Sequence, residues 1–575
     1  MRVSGSEALV EALRIEGVDN ICGIVGSAFM DPLDLFPSAG IRFIQVRHEQ
    51  SAALMAEGYS RATGKIGVCI GQNGPGITNL VTGVASAYLN HTPLVILTPA
   101  VLSSAERSGA FQEVDQLAML QPITVWQGKV NRPERMAEVI RGAFRAAYSL
   151  RGPAQVDIPR DMYYSEFEME PLIPSQYRTD GIFGGASAES IKSAIAEIKS
   201  AKNPCIVCGL GVGDRDAIEK VQTLSRLISA PVATVYLHND CFDNTDSMYV
   251  GALGYQGSEF AMQTLSKSDL ILALGTRLNS FGTTPQYGFD FFPKTAKLIQ
   301  NSINPLELGS LRPIQVGLLG DCKYVVEQLI DGLNGFTSGR NNAELTRTYE
   351  SGRALWREKR DQLSAPTDIK DAPMTPRSAL DAVAKAVPKN ALIVADVGNI
   401  SGAANSYFDG FSRPRSWFAA GSLGGIGVGF PTGLGVKLAR PNDPVITLVG
   451  DGAWSMSLQE VMTAVREKLN LITVIFNNKV YGAERRNQYD FFKERYFYTD
   501  LENPSFAAIA EAMGAKSFSI TDPNAIGPAI AEALKLDIPS VIEIHTDPKL
   551  LNEPYRRDAL KAPMRFSDRY KQVNK

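Results

Sequence analysis

Short apolar runs alternate with stretches of helical periodicity along the whole chain, and glycine, proline or asparagine closes most runs. In the first third IRFIQV (41–46), IGVCIG (66–71) and LVILTP (94–99) have strand length, and EQSAALMAEGYSRAT between them spaces its apolar residues as a helix does. A second block opens near SAESIKSAIAEIKSAKNPCIVCGLG and carries its own strands, PVATVYL, LILALG and AKLIQNSI. From about 334 to 375 the chain turns polar and loop-like. A last block then brings ALIVADVGN, DPVITLVGDG, LITVIFNN and PSVIEIH. Strand and helix in alternation predict α/β architecture with parallel sheets. At 575 residues the chain exceeds a single hydrophobic core. The expectation is three doubly wound α/β units over 1–185, 186–365 and 366–575.

Charge removes some function classes. With 58 basic against 61 acidic residues the net charge is −3, so no global basic field draws the chain to nucleic acid or an acidic membrane surface. No run of about 18 apolar residues occurs, and the first twenty residues lack a signal-peptide core. These features predict a soluble cytoplasmic protein. Six cysteines, at 22, 69, 205, 208, 241 and 322, fit reduced thiols there. Cys205 and Cys208 form a CxxC inside a strand that runs into a glycine turn. No second CxxC completes a metal site, so a structural role is expected.

The richest stretch is VITLVGDGAWSMSLQEVMTAVREKLNLITVIFNN (445–478). Val445–Val449 reads as a buried strand, Gly450-Asp451-Gly452 as a tight turn, about Ser457–Lys468 as a helix, and LITVIF as a second strand. A right-handed crossover places both strands parallel, so Asp451 and Asn478 meet at one sheet edge although 27 positions apart. A hard cation takes carboxylate, amide and phosphate oxygens, and a helix N-terminus supplies amide donors to phosphate. A generic strand–turn–helix would explain a lone GDG. GDG, 24 residues and NN with strand–helix–strand between them is a Mg²⁺–diphosphate arrangement.

That pattern resembles the thiamine diphosphate (ThDP) enzymes. By this resemblance the metal ligands are Asp451, Asn478 and the main-chain carbonyl of Val480, with Gly450, Gly452, Ala453, Tyr481 and Gly482 around the diphosphate. ADVGNISG (395–402) resembles the segment lying against the diphosphate, which implicates Gly398, Asn399 and Ile400. GSLGGIGVGFPTG (421–433) resembles the turn that bends the cofactor, with Gly424 in the turn and Ile426 as the apolar wedge. By composition alone Glu49 could be a helix-dipole acid. Its context, HEQSAALMAEGYSRATG, matches HExxAAxxAxGYxRxTG, which makes it the carboxylate that activates the aminopyrimidine. In that superfamily the glutamate and the metal site come from different subunits, implying a homodimer or homotetramer.

Further segments, among them GSAFMDPLDLFPSAGI, GAFQEVDQ, YGAERRNQYDFF and PYRRDAL, resemble the sulfoacetaldehyde acetyltransferases, within the wider acetolactate synthase group. The resemblance implies small-molecule chemistry: sulfoacetaldehyde and phosphate become acetyl phosphate and sulfite. The alternative is an acetolactate synthase-like 2-oxo-acid decarboxylase or carboligase. It places Gly26, Ser27 and Gly74 at the cofactor and Gln72, Asn73, Phe111 and Gln112 facing the reaction. Two anions need cationic partners, and Arg485, Arg486, Lys479, Arg556 and Arg557 are available, though most arginines end as solvated surface charges. His91, and His48 beside Glu49, are candidate proton shuttles that could equally be structural. CIVCGLGVGD (205–214) and ALGTRLNSFG (273–282) resemble nucleotide-facing turns, so the central unit holds FAD, ADP or neither.

Overall fold

The computed structural model describes residues 1–178, 184–213, 217–364, 374–550 and 561–571. Three six-stranded sheets follow one another along the chain, and every pairing within them is parallel. The first contains β1 (Asn20–Gly23), β2 (Arg42–Gln45), β3 (Gly67–Ile70), β4 (Leu94–Ala100), β5 (Trp126–Lys129) and β6 (Pro153–Pro159), in the order β2-β1-β3-β4-β6-β5. The second contains β7 (Pro204–Cys208), β8 (Val232–Thr234), β9 (Tyr249–Ala252), β10 (Leu270–Leu274), β11 (Lys297–Ser302) and β12 (Val316–Leu319), in the order β9-β8-β7-β10-β11-β12. The third contains β13 (Leu392–Ala395), β14 (Trp417–Ala419), β15 (Val445–Gly450), β16 (Ile472–Asn477), β17 (Lys516–Ile520) and β18 (Ser540–His545), in the order β14-β13-β15-β16-β18-β17. Central strands such as LILAL and ITVIFN are buried throughout, because helices cover both faces of a parallel sheet.

Six helices position the chemistry: α1 (Glu49–Thr63), α2 (Pro75–Leu89), α3 (Asn399–Tyr407), α4 (Gly429–Ala439), α5 (Val461–Glu467) and α6 (Gly482–Phe491). His48 caps α1 with Nδ1, which accepts from the Gln50 N–H at 3.1 Å, and Gly64 ends it at φ 77°. The first and third units share a core in which α1 lies against α4. The approach is close because glycine faces backbone: a Cβ on Gly58 would sit 2.3 Å from the Thr432 carbonyl oxygen, and one on Gly435 2.0 Å from that of Met55.

One expectation changes. The helix expected to begin near Ser457 is present, but helical structure already starts six residues earlier. A single turn starts at once at Asp451–Trp454, a 3₁₀ turn follows at Leu458–Glu460, and α5 begins only at Val461. Trp454 is fully buried against Phe506 and Phe430, which fixes the first turn independently of α5. Cys205 and Cys208 fall into separate cores on the two faces of β7, so they do not face each other. All six cysteines are buried, and no disulfide links them.

Candidate active site

Gly450 on β15 pairs with Phe476 on β16, so the chain leaves both strands at the same edge. Asp451 is 3% exposed there, and its Oδ2 accepts from the Lys479 N–H at 2.7 Å and from Asn503 Nδ2 at 2.8 Å. Burial pushes its carboxyl up to about 6, against the opposing pull of the Gly452 and Lys479 amides and Asn503. Asn477 and Asn478 have different fates. Asn477 turns into the sheet and donates to Glu543 at 2.7 Å. Asn478 turns toward the helix start, where a Cβ on Gly482 would lie 2.9 Å from Asn399 Nδ2 and 3.5 Å from Asn478 Nδ2. The loop between is laid along Thr499–Leu501 by two main-chain bonds of 2.8 Å, Tyr481 N–H to Thr499 and Leu501 N–H to Lys479.

The glycine turn before α4 is pinned by a residue the sequence reading missed. Asp396, 2% exposed, accepts from the N–H groups of Gly429 at 2.6 Å and Gly427 at 3.1 Å, and from Val397 at 2.6 Å. Burial raises its carboxyl to about 6. With the turn held on either side, Ile426 stays half-buried and faces the cleft instead of joining a core. An acid at the end of a strand, directly before a glycine segment, was the available signal for Asp396. Asn503 carries no local signal.

These elements border a cleft of about 710 Å³. Its lining includes residues 398–400, 424, 426, 450–453, 478 and 480–482. The lining suits an anionic cofactor with a hard cation. Asn399 Oδ1 is buried without a partner, and a Cβ on Gly398, Gly424 or Gly450 would meet nothing within 4 Å, so main chain is open to a ligand. No cluster of three His, Cys, Asp or Glu side chains occurs among the described residues. One buried carboxylate, one amide and a carbonyl are a Mg²⁺-type oxygen set that leaves positions for phosphate.

A second group gathers at the edge of the first sheet. Glu49, 8% exposed, opens α1, and its Oε2 accepts from Asn79 Nδ2 at 2.9 Å. A Cβ on Gly76 would lie 3.3 Å from both Glu49 Oε1 and Gln72 Cβ. Gln72 donates to Gln112 at 2.9 Å and to Asn73 at 2.7 Å, and accepts from the Ala28 N–H at 3.0 Å. Gly26 and Gly74 leave room for this network: a Cβ on Gly26 would meet Gln72 Oε1 at 2.1 Å, and one on Gly74 the Gln112 carbonyl at 2.3 Å. Ser27 sits 3.4 Å from Gln72 Nε2. Phe111 projects beside it, 88% exposed. None of these residues lines the 710 Å³ cleft of the same chain.

The remaining candidates lie elsewhere. His91 pairs with Glu307 at 3.1 Å and borders an adjoining cavity of about 480 Å³ against the second sheet, next to Gly211 and residues 275–279. His48 serves as the cap of α1. Arg485 pairs with Asp500 at 2.6 Å and lies over Tyr496, while Arg486 pairs with Asp490 at 3.0 Å and lies over Tyr489. An arriving anion competes with those carboxylates. Arg556 and Arg557 lie outside the described residues.

Three family models match the chain: the N-terminal TPP binding domain of thiamine pyrophosphate enzymes over residues 3–119, their central domain over 191–329, and their C-terminal TPP binding domain over 396–544. The sulfoacetaldehyde acetyltransferase of Alcaligenes xylosoxydans xylosoxydans is 42% identical, over 99% of this chain and 97% of that protein. That of Roseovarius nubinhibens is 36% identical, over 98% and 95%. The probable acetolactate synthase large subunit of Methanococcus aeolicus is 32% identical, over 95% and 92%.

Proposed function

The chain belongs to the thiamine pyrophosphate enzyme family, and we propose that it converts sulfoacetaldehyde and phosphate to acetyl phosphate and sulfite. The observation that carries the cofactor reading is the edge where Asp451, Asn478 and the unpartnered Asn399 meet beneath open glycine backbone. Near-full-length likeness to the sulfoacetaldehyde acetyltransferases supports the substrate.

The chemistry that thiamine diphosphate supplies when bound is a nucleophilic carbon and a sink for an electron pair next to a carbonyl. Asp451, Asn478 and the Val480 carbonyl would hold Mg²⁺ and through it the diphosphate. Gly398, Asn399, Gly450, Gly452 and Ala453 would offer main chain and amide to the same group, and Ile426, set by Asp396, would fill the bend. Glu49 would hold a proton at the aminopyrimidine from its buried seat beside Asn79. Burial of that carboxylate makes its hydrogen bond strong, and Asn79 keeps it oriented.

The overall reaction is redox-neutral within the two-carbon unit. The C–S bond breaks, the sulfonate carbon becomes a methyl group, the aldehyde carbon rises to the acyl level, and a phosphate oxygen bonds to it. No step is assigned to FAD or ADP in the 480 Å³ cavity. The same reading places Glu49 of one subunit at the cleft of another, because the two groups stay apart within one chain.

Protein supplied with ThDP, Mg²⁺, phosphate and sulfoacetaldehyde is expected to release sulfite and acetyl phosphate in equal amounts. Pyruvate run in parallel tests the acetolactate synthase-like alternative. CO₂ and acetolactate from pyruvate, with no sulfite from the aldehyde, would overturn the substrate and leave the cofactor site standing.

A further inference from the structure

The carboxylate of Glu460 belongs to neither group above, yet it touches both of their supporting elements. It ends the 3₁₀ turn Leu458–Glu460, nine residues after Asp451, and is 0% exposed. Its Oε1 accepts from the main-chain N–H groups of Arg47 and His48, each at 3.1 Å. Its Oε2 accepts from the Arg47 N–H at 3.1 Å and from the Thr463 hydroxyl at 2.7 Å. A carboxylate taken fully out of water is costly unless donors surround it, and here the donors are the two peptide groups directly before Glu49. The buried Ser51 hydroxyl on α1 donates to the same carboxylate, while at the rim Arg42 reaches Glu467 at 2.6 Å and Arg466 reaches the side chain of Gln45 at 3.2 Å.

We propose that Glu460 is a positioning residue for Glu49, clamping the Arg47 and His48 amides so that α1 begins where the Glu49 carboxyl meets its target. The inference rests on the reading of Glu49 as the activating carboxylate. Its leverage is geometric. A slip of the helix start by one residue swings the first side chain by about 100°. At the observed start Glu49 lies within reach of Asn79. Glutamine cannot replace the acid, because its amide end would present N–H to donors that need an acceptor.

The test compares Glu460→Gln, Glu460→Asp and Thr463→Ala with Arg42→Ala, which loosens the same contact at its rim. Each ThDP- and Mg²⁺-loaded protein is assayed for turnover, for exchange of the cofactor C2 proton with deuterium in the absence of substrate, and for thermal midpoint. Glu460→Gln is expected to lose about 10- to 100-fold in kcat and in C2 exchange, with KM for the aldehyde within about twofold. Its midpoint should fall below that of Arg42→Ala, because its amide meets buried donors, so exchange is compared at a temperature where both proteins are folded. Glu460→Asp should recover part of the exchange rate, and Thr463→Ala should fall between.

Wild-type exchange in Glu460→Gln, or an equal slowing in Arg42→Ala, overturns the proposal. Should Glu460→Gln fail to fold, Thr463→Ala decides alone: slowed exchange supports the clamp and an unchanged rate removes it. Glu49→Gln run beside them separates the two layers. Wild-type exchange in that variant overturns the role of Glu49 itself, and the clamp with it.

Discussion

Glu49 and Asp396 are both buried carboxylates, yet they answer to different physics. Glu49 keeps an accessible partner in Asn79, whereas Asp396 spends its oxygens on three amides of its own chain. Glu49→Gln should lower kcat by at least about 100-fold, the scale of a lost proton-transfer group, with ThDP affinity retained in calorimetric titration. For Asp396 the expectation concerns pH. Its carboxyl is raised from 3.8 to about 6, so the folded state favours the protonated form. The stability this contributes is complete below pH 3.8 and disappears as pH rises through 6. Denaturant unfolding of wild type and Asp396→Asn should therefore show wild type losing about 3 kcal/mol relative to the variant between pH 4 and 7. A flat difference would contradict the burial. Cysteine offers a third check at this scale. Burial pushes the Cys205 thiol up to about 12 and Cys208 well above its usual range, so thiol reagents should titrate none in the native protein and six after denaturation.

Among elements, the contact of α1 with α4 is the one on which the proposed function leans most, since α1 starts with Glu49 and α4 follows the turn of Ile426. The helices approach until backbone meets glycine, at Gly58 and Gly435. Gly435→Ala forces a Cβ to within 2.0 Å of the Met55 carbonyl oxygen unless the helices part. A loss of about 1–3 kcal/mol in thermal or denaturant unfolding is expected, with activity falling alongside. A variant as stable as wild type would mean that the interface has slack. The helical segment after Asp451 belongs to the same scale. Hydrophobic period alone sees one helix from Ser457; burial of Trp454 adds a separate turn before it, and the 3₁₀ turn of Glu460 runs straight into α5.

For the whole molecule, the absence of Glu49 from the cleft lining of its own chain carries a consequence for assembly. If two subunits share each site, Glu49→Gln and Asp451→Ala proteins are inactive alone, but hybrids of them contain one intact pairing. Co-refolding equal amounts should restore about a quarter of wild-type activity for a twofold assembly. Activity no greater than the sum of the parents would place each site within one chain. Among the described residues, no helix is long and apolar enough to cross a membrane.

What the chain determined by itself is local or periodic. Apolar strand runs closed by turn residues specify three parallel α/β sheets, and the GDG-to-NN spacing, given the fixed hand of the crossover, brings Asp451 and Asn478 to one edge. Glu49 stood out because HEQSAALMAEGYSRATG resembles a family motif that is contiguous in sequence; its helix pattern alone left it a helix-dipole acid. The tertiary structure alone decided which distant polar groups close on these residues: Asn503 on Asp451, Asp396 on the turn of Ile426, Glu460 on the amides before Glu49, and Glu307 on His91. Those partners lie from about thirty to several hundred positions apart, where neither helical nor strand period carries information. Burial then sets their energetics, because a carboxylate removed from water must find donors wherever the fold presents them.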